Sequence, residues 1–145
     1  MFTHLLVPTD GSAFSEAAAR KALRLAKEQE ARVTVIHVVP EFHVMSYRTT
    51  MLEDTREEYL AHCKTQAQQY LGHIEAAARE EGVPCDTVVA SSDHPYEAIT
   101  ATAERERCDL IVMASHGRRG LSGMLLGSET QKVLTHSKTP VLVLH

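Results

Sequence analysis

The sequence predicts an α/β fold, built on a parallel sheet with helices on both faces. Two observations carry this. Short runs rich in Val, Ile and Leu recur along the chain without clean polar alternation, the pattern of strands covered on both sides. Between them lie longer segments whose apolar residues keep helical spacing, so the elements read βαβαβαβαβ. A chain of 145 residues accommodates one such domain with a real core and leaves little room for a second. Residues 1–145 are therefore read as a single domain.

The first strand is Leu5–Val7, followed by the turn "PTDGS", Pro8–Ser12. Ser12 suits the N-cap of the next helix. In that helix Ala18, Ala22, Leu25 and Ala26 fall at i, i+4, i+7 and i+8, the spacing of one face. Val33–Val39 reads as the second strand. The irregular stretch from Pro40 to about Leu52 reads as a cover over the strand ends, with a lid or partner-binding loop as the alternative. A longer helix then carries the stripe Tyr59, Cys63, Ala67, Tyr70, Ile74 and Ala77, closed by Gly82 and Pro84. Thr87–Ala90 is the third strand. Pro95 opens the third helix in its first turn, where the missing N–H costs nothing. Leu110–Ala114 is the fourth strand. Ser128 and Gln131 form an S-x-x-Q capping box that starts a fourth helix running to about His136. Val141–Leu144 is the last strand.

Composition excludes several function classes. Hydrophobic residues make up 43% and charged residues 23%, ordinary values for a soluble globular protein. A formal net charge of -4 argues against a non-specific grip on nucleic acid or on an anionic membrane, so any anion site is local. No apolar run approaches a membrane span, and Met1 runs into a strand-like segment without a signal-peptide pattern. Cys63, Cys85 and Cys108 are odd in number and contain no C-x-x-C, which suggests neither disulfides nor zinc. They read as small residues in a reducing cytoplasm. The nine histidines are scattered and form no H-x-x-x-H or H-E-x-x-H pair, so no metal site is expected.

In an open doubly wound sheet, ligands bind beyond the carboxyl ends of the strands, where the strand order reverses. The segments after the strands are Pro8–Ser12, Val38–Val39–Pro40, "SSDHP" (Ser91–Pro95) and "MASHGRRGLSGMLLGS" (Met113–Ser128). The first and fourth combine glycine with hydroxyl residues, and they line one crevice if strands one and four are neighbours. Asp10 is a carboxylate for ribose hydroxyls, a base, or a magnesium ion carried by phosphates; equally, Asp-Gly is a turn pair. Gly117, Gly120, Gly123 and Gly127 let backbone N–H groups approach an anion. Gly127–Ser128 begins a helix whose first N–H groups and dipole favour negative charge. Arg118 and Arg119 either pair with phosphate oxygens or sit as ordinary loop charges. The stretch is not G-x-x-x-x-G-K-[ST], and the first turn is not G-x-G-x-x-G. From the residues alone, a phosphate cradle and a flexible connection both stand.

Taken together, "LLVPTDGSAFSEAAARKALRLA", "VTVIHVVP" and "DLIVMASHGRRGLSGMLLGSETQKVLTHSKTPVLVL" resemble the universal stress protein family over essentially the whole chain. The resemblance implies a Rossmann-like open sheet of order 3-2-1-4-5, a homodimer and, for one branch of the family, an ATP site marked G-x2-G-x9-G-[ST]. Gly117, Gly127 and Ser128 match that motif, while Ala114 replaces its first glycine. Alanine fits there if its φ is negative, and its Cβ strains the site if φ is positive or if the backbone must touch the nucleotide. The surviving spacer places the chain with the nucleotide-binding branch. The resemblance puts the adenosine end at Asp10 and the backbone of Val38. It puts Gly117, Arg118, Gly127, Ser128 and Glu129 around the phosphates. With the flanking turn residues, the expected binding set is Pro8, Thr9, Asp10, Val38, Met113, Ser115, His116, Gly117, Arg118, Gly127, Ser128 and Glu129.

The resulting expectation is a small cytoplasmic stress-response protein that binds ATP, ADP or AMP, with Mg2+ carried by the phosphates, and acts as a regulatory dimer. A ligand-free dimeric interaction module and a weak ATPase are the alternatives. His116 is the one nearby side chain suited to general base work, and no orienting carboxylate is evident for it in sequence, so no catalytic residue is assigned. The apolar segment Val141–Leu144 is expected at a sheet edge, a liability unless covered. A symmetric partner covers it in the dimer that the resemblance implies.

Overall fold

The structure, a computed structural model, describes residues 1–42, 49–117 and 126–145, with the backbone alone for 49–54. Five strands alternate with four helices: β1 (His4–Pro8), α1 (Ala13–Gln29), β2 (Arg32–Val39), α2 (Thr49–Glu81), β3 (Cys85–Ser91), α3 (Pro95–Arg105), β4 (Leu110–Ala114), α4 (Ser128–His136) and β5 (Val141–Leu144). All pairings are parallel, in the order β3-β2-β1-β4-β5. This is the Rossmann-like arrangement expected. Because β1 lies between β2 and β4, the chain leaves the centre in one direction and returns in the other. The reversal falls between β1 and β4.

Period-2 alternation divides each central strand between two cores. Leu5, Val7, Val33, Val35, Leu110 and Val112 face α1 and α2, meeting Ala19, Ala22, Leu23, Ala26, Leu71, Ile74 and Ala78. Leu6, Ile36, Ile111 and Met113 face α3 and α4, meeting Ile99, Ala103 and Val133. Each fully buried aliphatic side chain contributes about 1.5–3 kcal/mol. The alanines of α1 let its backbone lie close to the sheet. Ser12 caps α1 as expected, its side chain accepting from Ser15 N. Gly82, at φ 73, follows the end of α2, where a left-handed residue satisfies the last carbonyls.

Three expectations are corrected. The Ser128–Gln131 capping box does not form. Gly127 is the N-cap of α4, without a side-chain cap hydrogen bond, and Gln131 Nε2 donates to Leu126 O at 3.1 Å. Burial on both faces holds for β1, β4 and most of β2 but not for the edges. β3 begins at Cys85 rather than Thr87 and leaves Val89 54% exposed, and Leu142 of β5 is 37% exposed. Four helices cannot blanket five strands, so the outer ones stay half open. Finally, Thr49–Leu52, expected to be irregular, already belong to α2; positions 43–48 lie outside the described residues. No described helix is long and apolar enough to cross a membrane.

The amino ends of the strands are closed by hydrogen bonds. Asp109, just before β4, accepts from Thr3 N (2.8 Å), Thr3 Oγ1 (3.0 Å) and His4 N (3.0 Å). His4 is buried, with Nε2 2.7 Å from Thr34 Oγ1. Its Nδ1 has no hydrogen-bond partner among the described residues. Burial, reinforced by the positive charge of Arg32, lowers the His4 pKa below 6.5.

Candidate functional site

The site begins with unequal strand lengths. β1 ends at Pro8, whose register partner is Ile36, while β2 continues to Val39. Thr9 N donates to Ile36 O at 2.9 Å, and Ser92 N to Val39 O at 2.9 Å. Even-numbered positions of β2 therefore direct their backbone groups toward β1. Val38 lies two residues beyond Ile36, so its N–H and C=O face the space past the end of β1.

Asp10 stands at the head of that space. Its Oδ1 accepts from Ser12 N and from Ser15 Oγ, each at 2.9 Å, which folds the turn back onto the start of α1. Gly11 is required here twice over: its φ is +80, and the Tyr70 ring occupies the place of a Cβ. From beneath, His37 Nδ1 donates to Thr9 O at 2.9 Å, and the Tyr70 ring meets His37 edge-on at 5.2 Å. The carboxylate is thus positioned by α1 and α2 together.

The other wall joins the end of β4 to the start of α4. Gly127 N donates to Ser115 O at 2.6 Å, and Thr130 Oγ1 donates to Ala114 O at 3.0 Å. A Cβ on Gly127 would stand 3.2 Å from Ser115 O, and one on Gly117 would stand 2.5 Å from Asp10 Oδ2. Gly117 permits the fourth turn to lie against the first, and Gly127 permits α4 to start against the end of β4. The first-turn N–H groups of α4, from Ser128 to Thr130, have no intrahelical acceptor. Glu129 Oε2 accepts from Tyr96 N in the first turn of α3 at 3.0 Å, and its Oε1 receives Lys132 Nζ at 3.3 Å.

These walls enclose a cleft of about 540 Å³, within the range of small-molecule sites. Ile36, Val38, Pro40, Ile99 and Met113 supply its apolar lining, and Asp10, Asp93, Glu129 and His116 are among its polar residues; Asp93 Oδ1 accepts from Glu41 N at 3.1 Å, beside Pro40. Among the described lining residues three are carboxylates and none is Lys or Arg.

Of the expected binding set, Pro8, Thr9, Asp10, Val38, Met113, His116, Gly117, Gly127, Ser128 and Glu129 all line this one cleft. Ser115 does not. It is 4% exposed, its carbonyl receives Gly127 N, and its hydroxyl lies 3.0 Å from His116 Nδ1. Arg118, with Arg119, Gly120 and Gly123, lies outside the described residues. Ala114 also lines the cleft, as the last residue of β4. The described non-glycine residues with positive φ are Glu30 and Arg107, so Ala114 carries its methyl group without backbone strain. Sequence reasoning missed Ser15, Ile36, Pro40, Asp93, Pro95, Ile99 and Thr130 as lining residues. Asp93 had a signal, its place in the turn after the third strand. Thr130 had none, because it is fastened to a carbonyl 16 residues earlier. The thiols of Cys85 and Cys108 are pushed up to about 11, chiefly by burial, and are poor nucleophiles at neutral pH.

A doubly wound α/β domain with a ligand-sized cleft at its switch point defines the structural class. The model of the universal stress protein family matches residues 1–145, and the chain belongs to that family. It is 34% identical over 143 residues to the universal stress protein MJ0531 of Methanocaldococcus jannaschii, covering 99% of this chain and 82% of that one. The solved structure of MJ0577, from the same organism, superposes with a TM-score of 0.85 at 28% identity, covering 99% of this chain and 96% of that one. A universal stress protein family protein from Arabidopsis thaliana, solved with AMP bound, shares the fold at a TM-score of 0.68 and 18% identity, covering 98% and 90% of the two chains.

Proposed function

We propose that this protein binds an adenine nucleotide in the cleft between β1 and β4 and acts as a regulatory homodimer in stress adaptation. One observation carries the reading. The backbone edge of Val38, the carboxylate of Asp10 and the uncapped first turn of α4 converge on a single cleft of about 540 Å³. The base lies between Val38, Pro40, Ile99 and Met113, with the Val38 N–H and C=O reading its hydrogen-bonding edge. Asp10 accepts from the ribose hydroxyls, as an anchored carboxylate does well. The phosphates reach the N–H groups of Ser128 and Glu129, which point out of a helix terminus that favours anions. The close approach of Gly117 to Asp10 and of Gly127 to Ser115 fits a cradle that a Cβ would fill. Bound Mg2+ supplies charge neutralisation to a di- or triphosphate.

The family's AMP-bound member supports an adenine ligand, and ATP, ADP and AMP all fall within the reading. The role is binding, not dedicated catalysis, with His116 held against the Ser115 hydroxyl and near the Phe14 ring. Three free thiols accord with action in the cytoplasm. β5 is an edge strand with Leu142 exposed, so pairing of Val141–Leu144 with a second copy closes an edge that invites association. Denaturing the purified protein and analysing the supernatant for nucleotide tests the binding. Added MgATP at a hundredfold its dissociation constant stabilises the fold by about 2.7 kcal/mol. No released nucleotide together with no thermal shift contradicts the proposal.

A further inference from the structure

The α4 terminus that receives the phosphates already holds an anion of its own. Glu129 is the second residue of α4 and lines the cleft. Its carboxylate accepts the N–H of Tyr96, the second residue of α3. Pro95 supplies no N–H, and His94 makes no side-chain cap hydrogen bond, so Glu129 does the capping of α3 from outside that helix. Its charge therefore stands where the positive ends of two helix dipoles meet, and it offsets both. Lys132 holds its other oxygen at 3.3 Å. A side chain held between α4 and α3 cannot swing away from an incoming phosphate without uncapping α3. Asp10 and Asp93 add two further carboxylates to the described lining.

We infer that Glu129 is a specificity-determining residue that sets the phosphate charge of the ligand: metal-free ATP is disfavoured relative to AMP, and a triphosphate enters with its divalent cation. The inference rests on the adenine-nucleotide reading above. Each added phosphate brings negative charge toward a fixed carboxylate and is repelled by it, although Lys132, 3.3 Å from Glu129 Oε1, offsets part of that charge. A divalent cation on the phosphates reverses that interaction. Glu129→Gln removes the charge and keeps an oxygen that can accept from Tyr96 N. Glu129→Ala removes both.

The experiment is calorimetric titration of nucleotide-stripped protein with adenosine, AMP and ATP, in EDTA and again in excess Mg2+. In EDTA the wild type binds ATP more weakly than AMP, and Mg2+ reverses or removes the gap. Both variants improve ATP relative to AMP in EDTA by about tenfold and narrow the effect of Mg2+. An unchanged ATP-to-AMP ratio in Glu129→Gln overturns the inference while leaving nucleotide binding intact. Improvement in Glu129→Ala alone also overturns it, since space rather than charge would then decide. If Glu129→Gln does not fold, the ratio in Glu129→Ala and the EDTA–Mg2+ difference of the wild type decide the matter. Absence of binding by adenosine, AMP and ATP alike defeats both the inference and the function it rests on.

Discussion

The two ends of the sheet each place an aspartate beside a central strand, and they use it differently. At the amino end, Asp109 spends its carboxylate on three donors from Thr3 and His4, binding the start of β1 to the start of β4. At the carboxyl end, Asp10 turns Oδ1 to Ser12 and Ser15, while Oδ2 lies beside Gly117 on the wall of a cleft. One aspartate closes the fold. The other is held in place by local bonds and points toward a space large enough for a ligand. Where the strands β1 and β4 are tied together, the protein is sealed; where they end at different lengths from β2, it is open. Function in this architecture follows from where hydrogen-bonding groups are left facing a gap.

The contrast breaks most readily at Gly11. Alanine there meets the Tyr70 ring in a left-handed conformation, which lowers stability by about 3 kcal/mol and displaces Asp10 as well. Urea unfolding and nucleotide titration both report the loss. Asp109→Ala removes three hydrogen bonds at the sealed end and lowers stability by about 2 kcal/mol, with nucleotide affinity unchanged in the folded protein. If affinity falls with it, the two ends are not independent.

Acidity separates the ends further. Burial, with Arg32, keeps the folded His4 pKa below 6.5. As pH falls through that value the unfolded chain takes up the proton first, so stability is complete above it and declines below. Burial by itself would raise the Asp109 carboxyl pKa, but bonds from His4 N, Thr3 N and Thr3 Oγ1 hold it below 3.8. Its contribution therefore survives until still lower pH. Melting temperatures of the wild type and His4→Gln between pH 8 and 5 test this, the variant giving the flatter curve.

Smaller effects sharpen the open end. A Cβ at Gly117 would stand 2.5 Å from Asp10 Oδ2, so Gly117→Ala pushes the carboxylate aside and weakens nucleotide binding by about tenfold, or 1.4 kcal/mol, with little loss of stability. Ala114→Gly is the mildest change. It lowers stability by about 0.5–1 kcal/mol through backbone freedom and leaves affinity within about twofold, because the methyl group at Ala114 is unstrained. A large gain in affinity would mean that this methyl group obstructs the nucleotide.

Much of this was legible in the sequence. Apolar runs and helical spacing locate all nine elements, since buried strands and amphipathic helices print their periods directly. The turns after the first and fourth strands were identifiable because glycine and hydroxyl residues mark tight backbone. The failures have physical causes. Ser128 and Gln131 have the spacing of a capping box, but the ties of Gly127 N and Thr130 Oγ1 to the end of β4 fix where α4 begins. Tyr70 reads as one more core residue in a helical stripe; its place over Gly11 depends on how α2 crosses the sheet. Glu129 was expected near phosphates, yet its bond to Tyr96 joins residues 33 apart. No local pattern encodes such a bond.

The central claim is that ligand binding belongs to the open end of the sheet. Amide spectra of the isotopically labelled, nucleotide-stripped protein, titrated with AMP, test it residue by residue. Saturable shifts are predicted at Val38, Gly117, Ser128 and Glu129, with Thr3, His4 and Asp109 unmoved. Shifts centred on the amino end, or no shifts at millimolar AMP, would contradict the account.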